Sequence, residues 1–163
     1  MEFTLEEINE IMDRNNGDLI LKDTLIKTLP EGLKVQGNLD LTDTDIQELP
    51  NGLIVGKNLN LYFTKVTSLP ENLKVGGWVE LQGTKIETLP KGLEVGLSLD
   101  ASYTPMTTLP RDLKIGGYLS LRGTKVITLP KGLTVGTVLD ITNTKVKSLP
   151  KDLKVGGKIY SDL

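Results

Sequence analysis

The chain has 163 residues, 38% of them hydrophobic, and its 19 basic and 21 acidic side chains leave a formal net charge of -2. That apolar content suits one folded domain and excludes a disordered chain, while the near balance of charge removes any general reason for polyphosphate or nucleic-acid affinity. The absence of Cys and His excludes disulfides, thiolate metal sites, Cys nucleophiles, Ser-His-Asp triads and HExxH zinc chemistry, so no metal or cofactor is expected.

The first residues, Met1-Glu2-Phe3-Thr4-Leu5-Glu6-Glu7, carry acids where a signal peptide carries bases. No apolar run approaches the ~20 residues that span a bilayer. The expectation is a soluble, cytoplasmic protein with no membrane partner. Thr4-Leu5-Glu6-Glu7 forms a capping box, and Leu5, Ile8, Ile11 and Met12 come after it at helical spacing up to Asn15-Asn16-Gly17, a fitting C-terminal stop. This predicts a helix over 5–15, within a cap at 1–17, whose apolar stripe shields the open edge of the domain behind it.

From residue 18 to 163 the chain is periodic. The dipeptide Leu-Pro begins at 29, 49, 69, 89, 109, 129 and 149 without insertion or deletion, which predicts a solenoid of about seven twenty-residue coils. Within a coil, Leu39 and Leu41 alternate with Asp40 and Thr42, the period-two signature of a strand with one buried face. The pair returns as Leu59/Leu61, Val79/Leu81, Leu99/Ala101, Leu119/Leu121 and Leu139/Ile141. One short strand per coil, stacked about 4.8 Å from the next, builds a parallel sheet along the molecule. The fold class is therefore an all-β-dominated solenoid with an N-terminal capping helix, in which Ile46, Leu49, Leu53 and Val55 point inward from the other sides.

Three further columns carry structure. Thr24, Thr44, Thr64, Thr84, Thr104, Thr124 and Thr144 are unbroken. Lysines at 65, 85, 125 and 145 argue against a flat uncharged ice-binding plane and for an inward ladder whose hydroxyls satisfy backbone groups. Leu49-Pro50-Asn51-Gly52 fits a type I turn with Pro at its second position. The column Gly32, Gly52, Asn72, Gly92, Asp112, Gly132, Asp152 is expected to hold positive φ in every coil. Gly37, Gly77 and Gly117 mark a second, less demanding corner, since Lys57, Leu97 and Thr137 replace them. Gly52-Leu53-Ile54-Val55-Gly56-Lys57 is one residue short of a phosphate loop and reads as a coil corner.

The outward strand columns vary most. One contains Trp78 and Tyr118, the next Asp40, Glu80, Asp100 and Asp140, the third Tyr62 and Arg122. Trp, Tyr and Arg are the commonest interface anchors, so Trp78, Tyr118 and Tyr62 are expected to cluster mid-sheet. Glu80 and Asp100 should face each other on adjacent coils, a like-charge pair that needs solvent, a cation or a basic partner. The candidate partner-binding residues are Trp78, Tyr118, Tyr62, Glu80, Asp100 and Arg122. On the opposite edge Lys91, Arg111, Lys131 and Lys151 keep the solenoid soluble. Nucleic-acid binding would want aromatics interleaved with those bases, and here the aromatics lie with the acids.

The run from Leu39 to Pro50, L-D-L-T-D-T-D-I-Q-E-L-P, resembles the bacterial leucine-rich repeat L-x-L-x-x-N-x-L-x-x-L-P. It is closer still to the LP-x-x-L-x-V-G-G-x-L-x-L repeats of bacteria and their phages. Thr stands in place of the usual Asn, and Val-Gly-Gly alters the spacing, which leaves a curved horseshoe and a straighter β-helix-like stack both open. The resemblance implies a binding scaffold and carries over no catalytic residue. The leading expectation is a non-enzymatic protein-interaction module acting through its strand face, a bacterial or phage protein directed at a host or rival protein. Alternatives are a carbohydrate- or cation-binding, or carbohydrate-cleaving, solenoid using Trp78, Tyr118, Glu80 and Asp100, and a structural spacer. The last coil, with no visible cap, also offers end-to-end self-association.

Overall fold

The computed structural model describes residues 3–111 and 113–163 and begins with one helix, α1 (Leu5–Arg14). Its capping box is formed: the Glu7 N–H donates to Thr4 Oγ1 at 3.2 Å and the Thr4 N–H to Glu7 Oε2 at 2.8 Å. The Thr4 N–H and the Thr4 hydroxyl, both donating to the Glu7 carboxylate, hold it below its ordinary pKa. Ile8 and Met12 are buried and the helix lies on the first strand, so the stripe shields the solenoid's first edge. Phe3 and Ile11 pack against the same core, whereas Leu5 does not join it and is exposed. No helix among the described residues is long and apolar enough to cross a membrane.

The rest is a parallel β-solenoid. The expected sheet has eight two-residue strands: β1 (Leu19–Ile20), β3 (Leu39–Asp40), β5 (Leu59–Asn60), β7 (Val79–Glu80), β9 (Leu99–Asp100), β11 (Leu119–Ser120), β13 (Leu139–Asp140) and β15 (Ile159–Tyr160). A second parallel sheet accompanies it, made of β2 (Lys34–Val35), β4 (Ile54–Val55), β6 (Lys74–Val75), β8 (Glu94–Val95), β10 (Lys114–Ile115), β12 (Thr134–Val135) and β14 (Lys154–Val155). Each coil therefore pairs with its neighbours on two sides rather than one. Register advances by one repeat, Leu39 on Leu59 and Asp40 on Asn60, so like residues stack in columns. Leu39, Leu41, Ile46, Leu53 and Val55 and their equivalents in the inner coils are almost wholly buried. Stacking creates this core, which no isolated coil could form. Leu149 and Ile159, in the last coil described, are each 38% exposed.

The threonine ladder is internal. Thr44, Thr64, Thr84, Thr104 and Thr124 are buried, and each hydroxyl donates to the carbonyl three residues before it, at 2.7–2.9 Å. The bond closes the bend after each strand, which an apolar isostere could not do.

The corners differ from expectation in three respects. The turn after Leu-Pro centres on residues 51–52 and their equivalents, one residue later than a type I turn over Leu49–Gly52. The cause is the stack: the Gly32 N–H donates to the Asn51 carbonyl of the next coil at 2.9 Å and is not free to close its own turn. Positive φ in that column holds at Gly32, Gly52, Asn72, Gly92 and Gly132 but not at Asp152, whose carboxylate instead accepts the Gly132 N–H. Asp112 lies outside the described residues. The strict glycine column is neither of those anticipated. It is Gly56, Gly76, Gly96, Gly116, Gly136 and Gly156, where an added Cβ would lie 1.8–2.1 Å from the carbonyl oxygen of the preceding coil.

Candidate functional site

A second left-handed column comes directly after the first-sheet strands: Asp23, Asp43, Phe63, Gly83, Tyr103, Gly123 and Asn143 all have φ between 53° and 80°. The bend residue's own N–H still reaches the next coil, as from Asp43 to the Tyr62 carbonyl at 2.9 Å, whereas the N–H of the residue just before each bend needs a partner within its own coil. The column at the second strand position supplies one. The N–H two residues on donates to Asp40 Oδ1 (3.0 Å), Asn60 Oδ1 (3.0 Å), Glu80 Oε1 (2.8 Å), Asp100 Oδ1 (2.8 Å) and Asp140 Oδ1 (2.9 Å). Ser120 holds the same place more loosely, at 3.4 Å. The acidic line is thus first a series of turn caps. The readable signal was that every residue of the column from Asp40 to Asp140 is a hydrogen-bond acceptor.

The column before β1, β3 and β5 is also an acceptor ladder. Asp18 takes the Asn38 N–H at 2.7 Å and its amide at 3.1 Å, and Asn38 takes the Asn58 amide at 2.9 Å. These bonds hold the Asp18 carboxyl below its usual pKa. Asn58 then accepts the Trp78 N–H at 3.0 Å, and Ser98 the Tyr118 N–H at 3.1 Å. Neither an indole nor a ring-end phenol can continue such a ladder at the backbone. Trp78 and Tyr118 therefore interrupt the acceptor ladder, as Val138 and Lys158 do further along the column.

Glu80 and Asp100 are register partners on β7 and β9. Burial pushes the Glu80 carboxyl above its ordinary pKa, the Gln82 N–H pulls it down, and the Asp100 charge pushes it up again. The ion pairs among the described residues lie elsewhere, at Arg14–Glu10, Lys65–Asp45 and Lys74–Glu94. Tyr118 is half-buried beside Asp100, Asp140, Ser120 and Arg122. Its phenol is raised by burial, lowered by the Ser120 hydrogen bond, raised by the two carboxylates and lowered by Arg122. Ser120 in turn shares a buried 2.6 Å hydrogen bond with Ser102.

Of the six predicted residues, the fold gathers Asp100, Tyr118 and Arg122 around the Tyr118 ring, with Glu80 against Asp100 and Trp78 in the same coil as Glu80. Trp78 is 38% exposed and lies two coils from Tyr118, about 10 Å away. Tyr62 is not packed with them. Its ring meets Phe63, centroids 4.6 Å apart and nearly edge-on, so the expected three-ring cluster does not form. Phe63 and Tyr103, 57% and 55% exposed, were missed by sequence reasoning. Their rings lie over Gly83 and Gly123 of the next coil, and the alternation Phe63, Gly83, Tyr103, Gly123 in one column was the available clue. Left-handed backbone at a bulky residue costs about 1–2 kcal/mol, which covering a bare glycine offsets in part.

The face can present paired carboxylates between two aromatic rings. Among the described residues no cluster of three or more Asp or Glu is arranged to hold a metal ion. No protein-family model matches the chain. No curated protein matches it either.

Proposed function

We propose that the chain is a non-enzymatic protein-interaction module whose first-sheet face grips a basic segment of a partner protein. The observation that carries this reading is the Glu80–Asp100 pair, in register on adjacent strands and flanked by Trp78 and Tyr118, in which burial and the neighbouring Asp100 charge push the Glu80 carboxyl above its ordinary pKa. A guanidinium or ammonium group seated between those carboxylates gains charge-assisted hydrogen bonds and cation–π contact, and relieves the repulsion. Arg122 and Tyr62 extend the surface. The likeness of the repeat to bacterial and phage leucine-rich repeats supports a scaffold role, with a host or rival protein as the partner.

The test is selection of binders from a displayed random-peptide library on the wild-type protein, with counter-selection on a Trp78→Ala/Tyr118→Ala variant. Arg- or Lys-bearing segments should be enriched, and their binding should weaken with added salt. It should be lost in Glu80→Gln/Asp100→Asn and be indifferent to calcium. Binders insensitive to both double variants would remove this face from consideration. A thermal shift with millimolar calcium, abolished in Glu80→Gln/Asp100→Asn, would make the pair a cation site instead.

A further inference from the structure

On the N-terminal side of Trp78 the first-sheet face sinks into a hollow of about 320 Å³, walled by Trp78 and Ile20 and lined by Asn38, Asp40, Asn58 and Asn60. Its volume is at the lower end of the ~300–1,000 Å³ range of small-molecule sites, which suits one ring rather than a chain. Leu39 lies beneath it with its side chain turned into the core, so the apolar contact the hollow offers comes from Trp78 and Ile20. The polar groups here are already oriented. Asp40 Oδ1 is held by the Thr42 N–H and hydroxyl, at 3.0 and 2.6 Å, and Asn60 Oδ1 by the Tyr62 N–H at 3.0 Å. Because a backbone donor sets the Asn60 amide, its Nδ2 is the outward group. The Asn38 and Asn58 amides are spent on the ladder. Among the described residues Asp40 Oδ2 and Asn60 Nδ2 have no protein partner, and Asp40 and Asn60 are in register on β3 and β5, about 4.8 Å apart.

We propose that this hollow binds a single hexopyranose. The ligand must bring one donor and one acceptor on adjacent atoms, an apolar face for the indole, and no negative charge. Two neighbouring ring hydroxyls meet the first demand, one donating to Asp40 Oδ2 and the other accepting from Asn60 Nδ2. The C–H face of the sugar ring meets the second against Trp78. An anion is repelled by Asp40, and a purely apolar ligand would leave the acceptor and donor unpaired. Trp78 interrupts the acceptor ladder, as Tyr118, Val138 and Lys158 also do, so the stack does not call for an indole here and leaves its exposed face open to a ligand. The site shares Trp78 with the protein-interface reading but uses Asp40 and Asn60 where that reading uses Glu80 and Asp100, so the carboxylate variants tell the two apart.

Trp78 is the sole tryptophan, so its emission reports the hollow directly. The experiment titrates wild type with the methyl pyranosides of glucose, galactose, mannose and N-acetylglucosamine, followed by Trp78 fluorescence and by saturation-transfer NMR of the sugar ring protons. At least one should give a saturable change with a millimolar Kd, about the affinity a handful of such contacts provides. Asp40→Asn and Asn60→Asp keep the capping oxygen, and both residue types already serve in this column, yet each reverses one hydrogen-bonding partner. Each should weaken binding about tenfold, the loss of roughly one hydrogen bond, while Glu80→Gln/Asp100→Asn should leave it unchanged. No saturable response to any of the four glycosides up to about 100 mM, far above a millimolar Kd, would overturn the proposal. So would a response that survives both single variants undiminished, or one lost only in Glu80→Gln/Asp100→Asn.

Discussion

Replacing Gly96 by Ala isolates the contact that sets the spacing of the coils. The φ of Gly96 lies outside the left-handed region, so alanine meets no backbone penalty there, and the reduced freedom of the unfolded chain would by itself stabilise the protein by about 0.4–1 kcal/mol. The added Cβ, however, would stand 2.1 Å from the Gly76 carbonyl oxygen and 2.9 Å from its carbon. Carbon–oxygen contacts between stacked strands settle at ~3.3–3.6 Å, so the coils must part locally by more than about 1 Å. That movement stretches the Gly96 N–H to Val75 carbonyl bond, now 2.9 Å, and the Leu97 N–H to Gly77 carbonyl bond, now 3.0 Å. Two weakened backbone bonds at roughly 1 kcal/mol each, with the loosened packing of Val95 and Leu99, give an expected loss of about 3 kcal/mol. Gly32→Ala is the control. Its Cβ would meet nothing within 4 Å but its φ is +68°, so it should lose only the left-handed penalty of about 1 kcal/mol. Equilibrium urea unfolding of both variants, comparing midpoints and slopes, separates the two mechanisms. A Gly96→Ala protein as stable as wild type, or less affected than Gly32→Ala, would refute steric stacking as the reason for this column.

Thr84→Val, which keeps the volume, should cost about 1 kcal/mol, because the Leu81 carbonyl loses the 2.7 Å hydroxyl bond but keeps the Thr84 N–H at 3.1 Å; Thr84→Ser should restore most of it in the same urea assay, and a Val variant at wild-type stability would mean the hydroxyl is idle. The raised Glu80 pKa gives a signed pH dependence. The folded protein holds that proton more tightly than the unfolded chain, so the contribution to stability is fully present below the ordinary carboxyl value of about 4.5 and is lost as pH rises through the folded pKa. Glu80→Gln keeps an acceptor for the Gln82 N–H and should match wild type near pH ~4 but exceed it near pH ~7, and equal midpoints at both pH values would show that the carboxylate is not strained by its surroundings.

Most of the architecture was legible because a repeat announces itself. Seven Leu-Pro dipeptides at constant spacing demand that each residue stack on its own equivalent, and period-two alternation at Leu39 and Leu41 then puts a strand in every coil. The unbroken Thr column could be placed inside for the same reason, since a hydroxyl repeated at one bend needs one repeated partner. The capping box at Thr4 and Glu7 is local chemistry and was readable as such.

The features that depended on the stack were not legible. Lys34–Val35 and its equivalents are as short as the first-sheet strands, and the glycine corners on either side hid the alternation of buried Leu33 and Val35 about exposed Lys34. The glycine column at Gly56 to Gly156 is enforced by the carbonyl of another coil, a contact with no local trace. The left-handed bend at Phe63 and Tyr103 contradicts their own preferences and is tolerated because glycine lies beneath each ring in the adjoining coil. At the candidate site, sequence alone named Trp78, Glu80, Asp100 and Tyr118 from residue type and register. Tertiary structure alone decided that the acids also cap turns, that Tyr62 pairs with Phe63, and that Asp40 and Asn60 keep one free group each above a hollow. Periodicity specifies which residues stack, whereas the distance and direction of each side chain are set by neighbours twenty residues away, and only the assembled coils supply those.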